Sequence, residues 1–272
     1  MIFFFFFSIF RQMKMFFRDL VETFKIAPVW WYMAYQDLMS RYRRTTLGPW
    51  WITLGTGIGV GAMGFVWGSV FNIPLNDFFP YMTAGFILWG FISSCVLEGA
   101  LIYTTPGAML RTIKIPLLTF IFTGILRNLY TLLHNIIIVV IVFMIFQVKV
   151  SVITLLFVPG LFLVLITAFL LSVVLGILGA RFRDLSYTIS SLMTFLFMLT
   201  PVMWNPKILT GKKVLLAYGN PFTYFLAIVR DPLLNTIPDS FYYIGVFSMI
   251  TVLLGLASFL YERYSHRLVY WV

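Results

Sequence analysis

Arg41, Arg43 and Arg44 fall within four residues, ahead of a Gly48-Pro49 break and the Trp50-Trp51 pair that opens a long apolar run. A guanidinium fork matches phosphate geometry, so such a cluster at a membrane surface suits an anionic headgroup. Arginines beside a span also mark its cytoplasmic end, and tryptophans favour the bilayer interface. The residues alone leave both roles open. Glu98 and Arg127 are the next chemically loaded positions, because ionisable side chains inside apolar runs are expensive and point to pairing or function. The hairpin between them brings both to similar depth, which predicts a mutual ion pair. His134 follows Arg127 by seven residues, and Asn128 and Asn135 repeat that interval with Thr131 between, so one helix face there is polar. Helix-helix hydrogen bonding is the favoured role for that face, ahead of an aqueous path.

Other motifs fail on context. Gly59-Val60-Gly61-Ala62-Met63-Gly64 has dinucleotide-type glycine spacing, but it lies inside an apolar run with no strand before it. Gly57 and Gly61, then Gly64 and Gly68, have the small-xxx-small spacing of packed membrane helices. Gly211-Lys212-Lys213 lacks the upstream glycine and the hydroxyl residue of a phosphate loop. Two histidines, His134 and His266, supply no metal-ligand spacing, and no nucleophile constellation appears. The single cysteine, Cys95, sits in an apolar run as a small packing residue.

The elements that must position these residues are membrane helices. Of 272 residues, 61% are hydrophobic and only 10% charged, against about 25% charged in soluble domains. The net charge of +10 then points to lipid headgroups and topology and away from nucleic acid. Six apolar segments approach the roughly 20 residues a spanning helix needs, at about 50–71, 79–101, 128–146, 152–179, 185–204 and 241–261. The third is started at Asn128 so that Arg127 lies at the interface. Residues 1–49 form a cytoplasmic arm, and 50–272 the transmembrane domain. In the arm, Trp31, Tyr35, Leu38 and Tyr42 recur at helical spacing opposite Gln36, Asp37, Ser40, Arg41 and Arg44, the pattern of an amphipathic interface helix. The Phe-rich residues 1–10 lack a basic n-region and a cleavage site, and read as an interfacial anchor.

With both termini inside, the outer side keeps only Lys149, Lys207, Lys212, Lys213 and Arg230 of the 19 basic residues, which supports that orientation. Two connections stand out. Between the second and third spans, Thr105-Pro106-Gly107 and Ile115-Pro116 bracket a short basic helix carrying Leu110, Arg111 and Lys114, suited either to docking in a groove of another protein or to lying on the surface. After the fifth span, residues 201–232 are apolar and proline-punctuated where an outer loop would be polar. A re-entrant hairpin opened by Asn220-Pro221 fits better than a helix on the outer surface.

Taken in order, these features resemble the permease subunit of type-2 ABC exporters of cell-surface polysaccharide (the O-antigen, capsular polysaccharide and teichoic acid transporters). The resemblance rests on Arg41-Tyr42-Arg43-Arg44 with Leu47-Gly48-Pro49-Trp50, Leu110-Arg111 with Ile115-Pro116, Gly179-Ala180-Arg181-Phe182-Arg183-Asp184-Leu185, Pro201-Val202-Met203-Trp204, and Asn220-Pro221. It covers the chain from about Arg18. It implies an all-α integral membrane protein: six transmembrane helices, an N-terminal amphipathic interface helix, a cytoplasmic coupling helix and re-entrant helices between spans five and six. It further implies a homodimer in the bacterial inner membrane, bound to two ATP-binding cassette subunits. These carry ATP and magnesium, and this chain holds no cofactor and is no enzyme. The cargo implied is a lipid-linked polysaccharide, first an O-antigen on undecaprenyl pyrophosphate, whose headgroup Arg41, Arg43 and Arg44 would attract. Leu110, Arg111 and Lys114 would couple to the ATPase, and Trp204, Tyr218, Phe222 and Tyr224 would close the outer mouth. Export of drugs or small amphipathic molecules is the alternative. A membrane-embedded transferase would need convergent histidine or acidic residues at the interface, which the chain lacks.

Overall fold

The computed structural model describes residues 14–71 and 74–272, so the Phe-rich segment 1–10 lies outside the described residues. Among these residues the chain is helical, with no strand. The arm holds two helices, α1 (Lys14–Lys25) and α2 (Ala27–Arg41), where the sequence predicts one. The break falls at Ile26, just ahead of Pro28, which lacks an N–H and so starts a helix more readily than it continues one. Helix α1 is tied down by the last helix: the Glu262 carboxylate accepts from the Met15 and Phe16 amides, and the Tyr261 hydroxyl donates to Asp19 at 2.6 Å. A carboxylate at a helix N-terminus satisfies orphan amides and complements the helix dipole.

Among the described residues, five helices are long and apolar enough to cross a membrane. They contain α3 (Trp50–Phe71), α4 (Leu75–Leu101), α6 (Leu118–Ile145), α7 (Phe157–Arg181, preceded by a 3-10 turn at Val152–Leu156) and α11 (Ser240–Trp271). Between them lie α5 (Gly107–Thr112), α8 (Leu185–Leu199), α9 (Val214–Tyr218) and α10 (Pro221–Leu233). Helices α4 and α7 form the centre. They approach so closely that a Cβ on Gly179 would overlap the Ala100 carbonyl, so only glycine fits there. The outermost helices, α3 and α11, bury only 22% and 17% of their most apolar stretches within the chain, which leaves broad faces for lipid or a partner.

Three expected boundaries are corrected. The third span begins at Leu118, not Asn128, because Pro116 sets the helix start and residues such as Leu118, Phe120 and Ile121 are buried against protein. Arg127 therefore sits about 14 Å along α6 and well away from its end. The expected fifth span, 185–204, is helical only to Leu199, and α8 with 15 residues is short of the roughly 20 that span a bilayer. Thr200 turns to extended backbone (φ −81°, ψ 136°), as a residue before proline prefers, and leaves Trp204 in the following loop. The last helix runs ten residues past 261, because Tyr261, Ser265 and Leu268 still bury a face against the α1 side of the bundle.

Helix α10 explains the apolar loop. Every residue from Thr223 to Arg230 is buried, as expected of a helix that is apolar all round. It is capped by Asn220, whose side chain accepts from the Phe222 amide at 3.0 Å, and Pro221 takes the first helical position. It packs among α4, α7, α11 and the 3-10 turn, inside the helical body.

Candidate functional site

Charged groups from three elements meet where α2 packs against α6, beside the end of α4. Asp37 and Arg41, one turn apart, share a face of α2. Arg127 of α6 donates to Asp37 at 2.7 Å and to Glu98 of α4 at 2.8 Å. Glu98 also accepts from Asn128 at 2.9 Å and from Arg41 at 3.2 Å. Two guanidinium groups thus face two carboxylates, with no net charge. Exposure falls inward, from 53% at Arg41 to 25% at Glu98 and 14% at Arg127. A charge this deep persists because it is paired; alone it would cost several kcal/mol.

The cluster lines a cavity of about 410 Å³ whose other walls include Thr105, Pro106 and Met109 of the proline-bracketed segment. Surface helix, membrane helices and α5 region therefore share one polar joint. Leu110 does not belong to its accessible surface. It is buried with Tyr103, Leu118 and Ile121 and anchors α5. Arg111 donates to the Val272 carbonyl, and Lys114 is exposed. Burial raises the hydroxyl of Tyr103, beneath α5, well above the ordinary tyrosine range.

Arg43 and Arg44 stand apart from Arg41. Both are exposed in the turn before α3, and among the described residues neither forms an ion pair. Arg44 adopts φ +70° there. His134 also stays outside the charged cluster: its Nδ1 donates to the Tyr130 carbonyl at 2.8 Å, and its ring meets Trp50 edge-on at 5.9 Å. That fixes the α6 face against α3.

The four outer aromatics do not converge. Tyr218 and Tyr224 join Phe241 and Tyr242 in one group, in which Tyr218 stacks on Tyr242 at 6.1 Å and Tyr224 donates to the Tyr218 carbonyl at 2.6 Å. Phe222 turns the other way and packs edge-on against Trp89 at 5.5 Å. Trp204 bonds from its indole N–H to the Met198 carbonyl at 3.3 Å, in the loop.

Arg230 is the residue that sequence reasoning missed, having counted it as an outer charge. Its side chain is 3% exposed, lies 3.9 Å over the Tyr81 ring and donates to the Pro201 carbonyl at 2.6 Å. Tyr81 in turn donates to the Trp204 carbonyl at 3.0 Å. Together they pin the loop after α8 to α4 and α10. A charged pair, Arg230-Asp231, closing the apolar run 222–229 is the sequence signal that marks it.

These features define a multi-pass helical membrane protein with a polar joint between surface and membrane elements. Residues 28–234, well over half of the chain, match the family described as ABC-2 type transporter. The chain belongs to that family, as a permease: a membrane transport subunit of the kind that pairs with ATP-binding cassette subunits. No curated protein matches it.

Proposed function

We propose that the chain exports a lipid-linked polysaccharide, first among them an O-antigen on a polyprenyl pyrophosphate, as a homodimer in the bacterial inner membrane with both termini cytoplasmic. The observation that carries the reading is the pair of exposed, uncommitted guanidinium groups, Arg43 and Arg44, in the turn that joins the surface helix to α3. They meet a headgroup diphosphate at the membrane edge, while Arg41 shares its charge with Glu98. The thinly covered face of α3 suits a second copy across a wide conduit. ATP is hydrolysed in the partner subunits, whose strokes reach the joint through the α5 segment. Lys114→Glu should then uncouple ATP hydrolysis from export, and unchanged export in a normally assembled variant removes that docking role.

The deciding experiment is the surface polysaccharide of cells whose only copy is Arg43→Ala/Arg44→Ala. About a tenfold drop is expected, with insertion and topology unchanged, for the loss of charge-assisted contacts to one headgroup. Unchanged polysaccharide overturns the headgroup role. A second reading, export of small amphipathic molecules, draws on an apolar groove of about 490 Å³ walled by α1, α2, α6, α7 and α11. Stimulation of the assembled ATPase by such molecules, with no response to glycan, would favour it.

A further inference from the structure

Beneath the loop pinned by Arg230 lies a cavity of about 390 Å³, at the small end of ligand pockets, which run about 300–1,000 Å³. Tyr81, on its wall, is 17 residues before Glu98 on the same helix, about 25 Å along the axis. The cavity is therefore at the opposite end of the bundle from the charged joint. It lies outside the expected headgroup site and beside, not between, the expected gate aromatics.

We infer that this cavity binds a sugar unit, through the Tyr218–Tyr242 ring pair, the Asp231 and Asp239 carboxylates and the Thr223 hydroxyl. The class follows from what the walls offer. Tyr218 and Tyr242, stacked on each other 8° from parallel, both line the cavity and offer it aromatic surface, against which sugar rings pack. Thr223 is 2% exposed and its hydroxyl has no hydrogen-bond partner among the described residues, although a buried hydroxyl normally has one. A ligand hydroxyl is the partner that would satisfy it. Asp239 is exposed at the rim, where one oxygen caps the Phe241 amide at 3.1 Å. The other oxygen takes no part in that cap, and carboxylates are the strongest acceptors for vicinal hydroxyls.

Rival ligands fit worse. Arg230 is spent on Pro201 and Asp231, and with two carboxylates the lining carries a net negative charge, which opposes phosphate. The Asp231 and Asp239 carboxylates on the lining oppose an acyl chain, which would desolvate them. No group of three metal-ligating side chains occurs among the described residues. A neutral polyhydroxylated ligand remains. As part of a cargo path the site rests on the glycan-export reading, and in the proposed orientation it meets the glycan at the outer side.

The test uses the full chain in lipid nanodiscs, observed by saturation-transfer NMR with maltose, N-acetylglucosamine and L-rhamnose as probes. Transfer to at least one sugar is expected, falling about tenfold in Tyr242→Leu and in Asp239→Asn, each of which removes one anchoring contact. Asparagine keeps the helix cap, and Thr223→Val, equal in shape, should lower transfer with the fold intact. No transfer above empty nanodiscs, transfer equal in all variants, or phosphate displacing the sugars overturns the site. Surface polysaccharide is measured in parallel. Polysaccharide export without sugar transfer sinks the site alone, whereas sugar transfer in a protein that exports no polysaccharide sinks the export reading and leaves the site standing.

Discussion

Arg127 and Arg230 are both buried arginines, and the chain accommodates them in opposite ways. Arg127 is neutralised by carboxylates from two other helices, Asp37 and Glu98. Arg230 has one adjacent carboxylate at 3.5 Å, and is held mainly by a carbonyl and an aromatic face. The first arrangement joins three elements by charge pairs between residues far apart in sequence. The second locks a loop to the body through backbone. The joint beside the α5 segment is thus held by charge pairs between elements, and the opposite end by backbone and aromatic contacts.

The largest effect should come from the lock. Arg230→Met keeps volume but removes the charged donor from the Pro201 carbonyl and from Asp231, at a cost of about 3 kcal/mol. Heating the purified protein and following the folded fraction by size-exclusion chromatography should show it failing well before wild type. Wild-type heat resistance would mean that the loop is held by something else.

A smaller loss, about 2 kcal/mol, is expected for Arg127→Gln, because Glu98 retains Asn128 and Arg41. The comparison sharpens in a double-mutant cycle with Glu98→Gln. A coupling of about 1–2 kcal/mol marks a direct pair; additive losses would show that the two charges act independently.

Much of this was legible in the chain, for identifiable reasons. Prolines at 106 and 116 bracket α5 as written, since proline acts locally. Glu98 and Arg127 could be paired because one hairpin relates them. Asp37 could not be added, because its position against α6 depends on how the surface helix lies across the bundle, which no local pattern records. Arg230 was hidden for the same reason: its partners, Tyr81 and Pro201, come from segments far away in sequence. The fifth span was overextended because apolar composition continues to Trp204, although Thr200-Pro201 already announces the break. Phe222 and Tyr224 meet different neighbours because nearby residues of a buried helix point to different sides, which spacing in the chain alone does not resolve.

The smallest expected effect separates the two roles open to Arg41. Its pair with Glu98 is half exposed, so solvent screening holds its contribution to stability below about 1 kcal/mol. Arg41→Ala should therefore unfold with wild type, in contrast to Arg127→Gln, since Arg127 continues to neutralise Glu98. If Arg41 serves the joint, its removal should weaken the tie between α2 and α4, and a cysteine pair placed across those helices should crosslink more slowly in the variant. If it serves the headgroup, crosslinking stays normal and export falls, as for Arg43→Ala. Arg41→Lys divides these further, because an ammonium retains the point charge for Glu98 but loses the planar fork that matches a diphosphate. Normal crosslinking with normal export in Arg41→Ala would remove the residue from both roles and leave the turn arginines as the only cationic contact at that edge.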